Sequence, residues 1–413
     1  MAKITPFKGL RPAKDLADQV ATLPYDVVSV AEAKEFRKEK YNFYHITRSE
    51  IDLPEGIEVH SYTVYEKAKE NLEAFLKEGI LVQDNELCYY IYELVMDGRS
   101  QTGLVCGSSV ADYENGIIKK HEYTRPEKEK DRIDHITITG AQTGVVFLAY
   151  NDTESVQSII NDWKATHQPV YDFTAKDGIT HRLWVIDNYA KVAAITHNFS
   201  VDVPCTYIAD GHHRAASAAK VCKEMTKNGY SIGGDEAFHY FITCIFPASE
   251  LAILDYNRVV KDLNNHSAEQ LLATLEHDFE VNLVGKTAFK PGKPHEFGMY
   301  LEKNWYKLVS KEGTYTTDPI GILDVSILSN NVLDPILGIK DQRTDKRIDF
   351  VGGIRGMEGL QKRVDSGEMA VAFSIYPVSI QQLFTIADSG NVMPPKSTWF
   401  EPKLRDGLVV YTI

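Results

Sequence analysis

The chain reads TYIADGHHRAASAAKVCKEMTKNG at residues 206–229. The residues up to Ala209 are β-branched, aromatic or apolar, and they predict a buried strand. Gly211 then permits an abrupt turn, and the alanine-rich stretch after it predicts a helix over residues 212–227, closed by Asn228-Gly229. Strand, glycine and helix in direct succession are typical of an α/β protein in which the helix packs closely on a sheet.

The start of this helix is a predicted anion site. The first turn of a helix exposes unpaired N–H groups and a partial positive charge, which stabilise an anion. Three basic residues crowd this end, where acidic side chains are usual: His212, His213 and Arg214. Each, if charged, costs about 0.3–1 kcal/mol against the helix dipole, and a bound anion would reverse that cost. We therefore expect a phosphate there. The alternative is that Asp210 merely caps the helix.

Length and composition limit what the whole chain can be. At 413 residues it is too long for one core, so two or three domains are expected. The formal charge of −13 disfavours broad binding to nucleic acid. No apolar run suits a secretory signal or a membrane span, so we expect a cytoplasmic protein without a membrane partner. The five cysteines stand singly, and we expect reduced, buried thiols.

Helical and strand patterns alternate along the chain without a strict βαβ rhythm. They predict a mixed α/β (α+β) fold of several domains with mixed sheets. We expect an N-terminal α/β region at 1–168, a β-β-α-β phosphate-binding core at 169–263 and a C-terminal α/β region at 264–413. Helices are predicted at 60–77, 127–135 and 154–167, and capping boxes at Ser267-x-x-Gln270 and Ser379-x-x-Gln382 predict two more. Asp97-Gly98 predicts a hairpin turn.

Other segments carry residues suited to phosphate chemistry. Asp26, in a Pro-Tyr-Asp-Val turn, is either a general base or Mg²⁺ ligand, or an acceptor within the turn. Glu122, in a polar loop, would activate a hydroxyl or hold Mg²⁺. Arg132 would meet a phosphate, unless the run 127–132 is only a solvated helix face. Residues 396–398 follow two prolines and form either a phosphate contact or a surface turn.

The segment from Tyr207 to Arg214, with Ala218, resembles the signature of the domain-of-unknown-function family 1015. Three further segments resemble elements of that family: Pro24-Tyr25-Asp26-Val27-Val28; His121-Glu122-x-Thr124 with Lys128, Asp131 and Arg132; and Pro394-Pro395-Lys396-Ser397-Thr398 with Pro402 and Lys403. The resemblance covers nearly the whole chain. The family in turn resembles the ParB/sulfiredoxin superfamily, in which a Gly-x-His/Arg-Arg turn holds nucleotide phosphates. That superfamily includes CTP-binding partition proteins, ATP-dependent sulfiredoxin and kinases of free serine.

The resemblance implies a nucleotide triphosphate or diphosphate (ATP, ADP or CTP) as ligand, together with Mg²⁺. The candidate nucleotide-binding residues are Gly211, His212, His213, Arg214, Arg132, Lys396, Ser397 and Thr398. The candidate catalytic residues are Asp26, Glu122, Asp210 and His212, and the candidate Mg²⁺ ligands are Asp210 and Glu122. The phosphate turn lacks the cysteine that sulfiredoxin chemistry needs, and the basic regions with which partition proteins bind DNA are not evident.

Three functions are compatible with these residues. The first is a nucleotide-dependent phosphotransferase acting on a small hydroxyl-bearing metabolite, such as free serine. The second is a nucleotide-binding regulatory or switch protein without a second substrate. The third is a hydrolase or phosphatase that uses His212 or His213. The acceptor, the base of the nucleotide and the oligomeric state stay open, and a homo-oligomer is allowed.

Overall fold

The computed structural model describes residues 1–231 and 233–413. These residues fold as two compact units. The first unit comprises Met1–Leu251 together with Pro402–Ile413, and the second comprises Ala252–Glu401. The second unit is therefore an insertion, after which the chain returns to the first.

Short strands and helices alternate along the chain, which confirms the predicted mixed α/β class. The strands are β1 (Ile4–Thr5), β2 (Leu10–Pro12), β3 (Leu81–Gln83), β4 (Tyr89–Met96), β5 (Arg99–Ser109), β6 (Ile118–Lys119), β7 (Ala141–Gln142), β8 (Val146–Tyr150), β9 (Tyr171–Thr174), β10 (Thr180–Ile186), β11 (Thr206–Asp210), β12 (Tyr240–Pro247), β13 (Ile253–Leu254), β14 (Tyr256–Val260), β15 (Phe279–Gly285), β16 (Glu296–Leu301), β17 (Asn304–Ser310), β18 (Ile348–Gly352), β19 (Val371–Ile375), β20 (Trp399–Phe400) and β21 (Tyr411–Thr412). The α-helices are α1 (Ala17–Val20), α2 (Val30–Glu35), α3 (Tyr44–Thr47), α4 (Tyr62–Lys77), α5 (Val110–Glu114), α6 (Pro126–Thr139), α7 (Glu154–Thr166), α8 (Tyr189–Asp202), α9 (His212–Lys227), α10 (Ala268–Leu275), α11 (Asp324–Leu328), α12 (Gly356–Asp365) and α13 (Ile380–Asp388).

A mixed sheet forms the centre of the first unit. Its order in the described residues is β6-β11-β8-β12-β5-β4-β10-β9, with β1 paired to β5. The β11–β6 and β12–β8 pairs are parallel, and the other pairs are antiparallel. β4 and β5 form the hairpin predicted at Asp97-Gly98. Strands from both sides of residue 168 share this one sheet.

One helix beside this sheet escapes the sequence analysis. The predicted order was β-β-α-β, whereas α8 lies between β10 and β11 and makes the order β-α-β-α-β. The buried residues Val192, Ile195 and Phe199 do recur at helical spacing. They are only three of the 14 residues of α8, and the run of polar residues between Ile195 and Phe199 hides the pattern.

Helix α9 has the bounds that its sequence predicts. Its alanines are nearly all inaccessible to solvent, with Ala215 at 0% exposure and Ala216 at 6%. They pack in the main core of the first unit, together with residues such as Ile160 of α7 and Phe199 of α8. Small side chains let the helix approach the sheet closely, so its first turn is held in a fixed position.

The second unit contains an antiparallel sheet in the order β15-β17-β16-β19-β14-β18. Both predicted capping boxes form, with Ser267 ahead of α10 and Ser379 ahead of α13.

All five cysteines of the chain are free thiols, and four of them are buried. Among the described residues, no helix combines the length and the apolar character needed to cross a membrane.

Candidate functional site

The junction between β11 and α9 has a special backbone. The pairing of β11 with β8 shifts between Ile208 and Asp210, which marks a bulge. Such bulges redirect side chains and are frequent beside active sites. The N-cap of α9 is Gly211, at φ 97°, and no side chain caps the helix. Asp210 is therefore not the cap, and that alternative is wrong.

Gly211→Ala is expected to destabilise the protein by about 1–3 kcal/mol, because a side chain is strained at this φ. A Cβ at this position would also lie 3.0 Å from Nε and 3.1 Å from Cζ of Arg214. Chemical denaturation measures the loss. Gly229→Ala is the matched control, since Gly229 has φ +80° and a Cβ added there would have nothing within 4 Å. Equal losses in the two variants would contradict a role for the Arg214 contact.

Charged side chains around Asp210 compensate one another. Lys403 Nζ lies 3.1 Å from Oδ2 of Asp210, and Arg214 Nη2 lies 3.7 Å from its Oδ1. Burial raises the pKa of Asp210, but Lys403 and Arg214 outweigh burial and hold it well below its usual range. Arg214 also donates from Nη1 to the carbonyl oxygen of Val145. Burial lowers the pKa of Arg214, yet Asp26 and Asp210 more than reverse this and raise it.

The two histidines at the start of α9 are hydrogen-bond acceptors. Nε2 of His212 accepts the backbone N–H of His121 at 3.4 Å, and Nε2 of His213 accepts that of Arg125 at 3.0 Å. Burial lowers the pKa of both histidines, helped by His121 for one and by Lys128 for the other. The surroundings therefore disfavour the charged form of both histidines and favour that of Arg214.

One donor at this helix end still lacks an acceptor. Nε of Arg214 is buried and has no hydrogen-bond partner among the described residues. A buried, unmade hydrogen bond of this kind costs about 1–3 kcal/mol. This donor lies at a helix start that no side chain caps, which is the kind of place where helices bind anions.

The turn that carries Asp26 lies beside these groups. Tyr25 donates its N–H to Oδ2 of Asp406 at 3.3 Å, and its ring lies 3.9 Å from the guanidinium carbon of Arg132. Asp26 itself is exposed, and its carboxylate accepts no hydrogen bond from the described residues. Asp26 is nevertheless the charge that raises the pKa of Arg214 most. The structure thus brings Asp26 into electrostatic contact with the start of α9.

A cavity of about 410 Å³ opens at this turn in the first unit. Most of its lining residues carry a polar or charged group, and the charges are of both signs. The lining residues are Tyr25, Asp26, Thr47, Arg48, Ser49, Glu50, Val59, His60, Val64, Tyr65, Glu127, Lys128, Asp131, Arg132, His135 and His213. A recess of about 20 Å³ shares three of these residues, Tyr25, Arg132 and His135, and is also lined by Arg214. Of the predicted site residues, the cavity and the recess unite Asp26, Arg132, His213 and Arg214.

Helix α6 supplies one wall of the cavity. Glu127, Lys128 and Lys130 are exposed, as a solvated helix face predicts, whereas Arg132 is buried. The buried guanidinium is paired with its neighbour Asp131 at 2.7 Å. Asp131 also accepts hydrogen bonds from Tyr65 and His60. Arg132 is therefore held in place as part of the site.

Glu122 is outside this set of four, and three further predicted residues belong to the second unit. Glu122 is exposed on the loop before α6 and does not line the cavity. Lys396, Ser397 and Thr398 belong to the second unit. There Lys396 has φ 57°, and Ser397 Oγ donates to the carbonyl oxygen of Pro394 at 2.6 Å. The described residues contain no group of three or more His, Cys, Asp or Glu side chains arranged to hold a metal ion.

Sequence analysis misses two sets of site residues. Arg48 and Glu50 follow the buried helix α3, and the only sequence signal is a charged pair directly after apolar residues. Asp406 comes from the C-terminal return of the chain and meets Tyr25 across 381 residues. Burial and the nearby Asp26 raise the pKa of Asp406 to about 7, against the opposing effect of Arg214.

Asp406→Asn is expected to stabilise the protein more as the pH rises. The folded-state pKa of Asp406 exceeds its unfolded value of 3.8, so its contribution to stability is lost between pH 4 and 7. The neutral amide lacks this loss and still accepts the N–H of Tyr25. The gain in unfolding free energy should be about 2 kcal/mol larger at pH 8 than at pH 5. Asp235→Asn, on a side chain that is 81% exposed, is the control without such a difference. A gain that does not change with pH would contradict the prediction.

Comparison with known proteins finds a matching family model and several solved structures of low sequence identity. The family model described as "Protein of unknown function (DUF1015)" matches residues 4–326. No curated protein matches the chain. A conserved hypothetical protein from Pyrococcus furiosus is 15% identical, with 75% of this chain and 95% of that chain covered and a TM-score of 0.35. A free serine kinase in complex with AMP is 13% identical, with 74% and 92% covered and a TM-score of 0.34. SbnI with a C-terminal truncation, from Staphylococcus aureus, is 10% identical, with 73% and 85% covered and a TM-score of 0.37.

Proposed function

For this chain, which belongs to the family described as "Protein of unknown function (DUF1015)", we propose an enzymatic function. It is a nucleotide-dependent phosphotransferase that acts on a small hydroxyl-bearing metabolite, such as a free amino acid. The observation that carries the proposal is the meeting of the Asp26 carboxylate with Arg214 and His213 at the start of α9. In phosphoryl transfer the protein mainly positions the reactants and neutralises charge. A helix start, a guanidinium and one unengaged carboxylate supply those needs.

The start of α9 suits the phosphates of a nucleotide. Gly211 leaves the first turn uncapped, and Nε of Arg214 lacks an acceptor. A phosphate oxygen would satisfy both, by charge-assisted hydrogen bonds that are stronger than neutral ones. Lys128 and Arg132 line the adjoining cavity and would neutralise further phosphate charge. We assign the nucleotide to this end of the cavity.

Asp26 is the proposed general base. Its carboxylate is exposed to the cavity and accepts no hydrogen bond from the described residues, so it is available to a hydroxyl. In the step we propose, the terminal phosphoryl group leaves the nucleotide and bonds to the acceptor oxygen. The hydroxyl proton passes to Asp26, and the nucleotide departs with one phosphate fewer. The cavity of about 410 Å³ is large enough for a small acceptor of this kind.

The other candidate residues differ in how well they suit their predicted roles. Asp210 fits an Mg²⁺ ligand poorly, because Lys403 and Arg214 already face its two oxygens. Glu122 is an exposed carboxylate and fits one better, since Mg²⁺ needs only one or two carboxylates besides phosphate oxygens. His212 would have to release the N–H of His121 before it could accept a proton. Lys396, Ser397 and Thr398 belong to the second unit, and the proposed step does not use them.

The proposal is tested with purified protein, Mg²⁺ and ATP, ADP or CTP, with and without free serine or another hydroxyl-bearing amino acid. We expect one phosphorylated acceptor for each shortened nucleotide, and little turnover without acceptor. Nucleotide breakdown that no acceptor accelerates would identify a hydrolase. Nucleotide binding without any turnover would identify a switch protein. Either result would overturn the phosphotransferase.

A further inference from the structure

Arg48 binds the backbone of the turn that carries Asp26. Its Nη2 donates to the carbonyl oxygens of Tyr25 and Val28, at 2.6 Å each. These two carbonyls flank Asp26 on either side. One guanidinium nitrogen therefore bridges both ends of the turn, and Nη1 of the same group lies 3.4 Å from Oε1 of Glu50.

The position of Arg48 itself is fixed by its own backbone. Its N–H donates to the carbonyl oxygen of Tyr44 at 2.8 Å, and its carbonyl accepts the N–H of Ile51 at 3.0 Å. Its side chain is only 18% exposed, and the residues of α3 before it are buried. The guanidinium thus projects from a rigid part of the core.

The turn, in contrast, has little support of its own. Residues 24–28 lie in no helix or strand, and the backbone hydrogen bond described within them runs from Val27 N–H to the Pro24 carbonyl at 3.1 Å. The N–H of Tyr25 is held by Asp406, and the carbonyls are held by Arg48. Charge-assisted hydrogen bonds of this kind are stronger than neutral ones.

We infer that Arg48 is a positioning residue, which clamps the Tyr25–Val28 turn and thereby aims the Asp26 carboxylate into the cavity at the start of α9. The inference rests on the proposed function, because it gives Asp26 its task. Both Nη groups of Arg48 are engaged with the turn and with Glu50 and its Nε is buried, which favours action through the turn over a direct contact with a reactant. Displacement of a reacting group by about 1 Å can cost about 100-fold in rate.

A double-mutant cycle between Arg48→Met and Asp26→Asn tests the clamp. In the wild-type background, Arg48→Met should lower kcat by about 10- to 100-fold and leave the KM for nucleotide within about twofold. In the Asp26→Asn background it should lower kcat by less than about twofold, since the aimed group is gone. A general loss of structure would lower kcat by the same factor in both backgrounds, and that result would overturn the inference.

Two further variants guard the cycle. Arg48→Lys keeps a charged donor for the turn and should recover part of the lost kcat. Arg347→Met removes a similar contact in the second unit, where Arg347 donates to the carbonyls of Leu337 and Gly338 at 3.0 Å each. It should leave kcat unchanged. A drop equal to that of Arg48→Met would show that any lost arginine contact has the same effect, and would count against the clamp.

Hydrogen exchange tests the clamp without any activity. In Arg48→Met the amides of residues 25–28 should exchange at least about tenfold faster than in the wild type, with exchange in α9 unchanged. Unchanged exchange at the turn would overturn the clamp even in a chain that transfers phosphate. Faster exchange in the variant of a chain that transfers no phosphate would uphold the clamp while the proposed function fails.

Discussion

Asp26→Asn is expected to lower kcat for phosphoryl transfer by about 10²- to 10⁴-fold, the contribution typical of a general base. Asparagine has nearly the same shape, but its amide does not take up a proton at neutral pH. The Asp26 carboxylate accepts no hydrogen bond from the described residues, so the substitution leaves no donor unpaired. We therefore expect the fold to be retained.

Nucleotide binding should respond in the opposite direction to catalysis. The substitution removes a negative charge that lies close to Arg214 and His213. A phosphate at the start of α9 then meets less repulsion, so the dissociation constant of the nucleotide should stay equal or fall. Isothermal titration measures this constant, and initial rates at saturating acceptor measure kcat. This split separates lost chemistry from lost binding.

A surface variant shows whether the loss is specific to Asp26. Asp18→Asn, on an exposed residue of α1, is the control that should keep the wild-type rate. A wild-type rate in Asp26→Asn would remove Asp26 from the proposed chemistry and leave Glu122 as the remaining candidate base.

The parts of the site that the sequence predicts are local in the chain. The bounds of α9 follow from the glycine at 211 and the alanines after it, because helix starts and stops depend on neighbouring residues. Helix α8 was missed because only three buried residues mark its inner face. The β-β-α-β order failed for the same reason.

The parts that it does not predict depend on burial and on distant contacts. Three basic residues at the start of α9 suggest three charges, but burial lowers the pKa of His212 and of His213. Two charges beside this helix start are likewise invisible locally: Lys403, which pairs with Asp210, and Asp406, which acts on Arg214, both follow the insertion of Ala252–Glu401. Patterns in a single sequence reveal neither the burial of a side chain nor its contacts with residues that are distant along the chain.

Arg214→Met is expected to reduce the free energy of unfolding by about 3–5 kcal/mol, because the buried carboxylate of Asp406 loses the cation that opposes the effect of burial. Methionine is apolar and of similar length. The substitution removes the hydrogen bond to the Val145 carbonyl oxygen and leaves Lys403 as the ion-pair partner of Asp210. A loss of this size is a large part of the about 5–15 kcal/mol that holds a protein folded.

Arg182→Met is the matched control for Arg214→Met. Arg182 also pairs with a carboxylate, at 3.1 Å from Glu93, but its side chain is 37% exposed. Glu93 also keeps Lys164 at 2.7 Å, so we expect a loss below about 1 kcal/mol. Equal losses in the two variants would contradict the burial argument.

The same Arg214→Met variant separates stability from ligand binding. Nucleotide at about 100 times its dissociation constant should stabilise the wild type by roughly 2.7 kcal/mol. In the variant this gain should vanish at the same concentration, because the guanidinium that meets the phosphate is gone. Thermal denaturation with and without nucleotide measures both the stability of the variant and the stabilisation by nucleotide. A variant that is destabilised yet gains the full increment would show that Arg214 serves the fold alone and that the phosphate lies elsewhere.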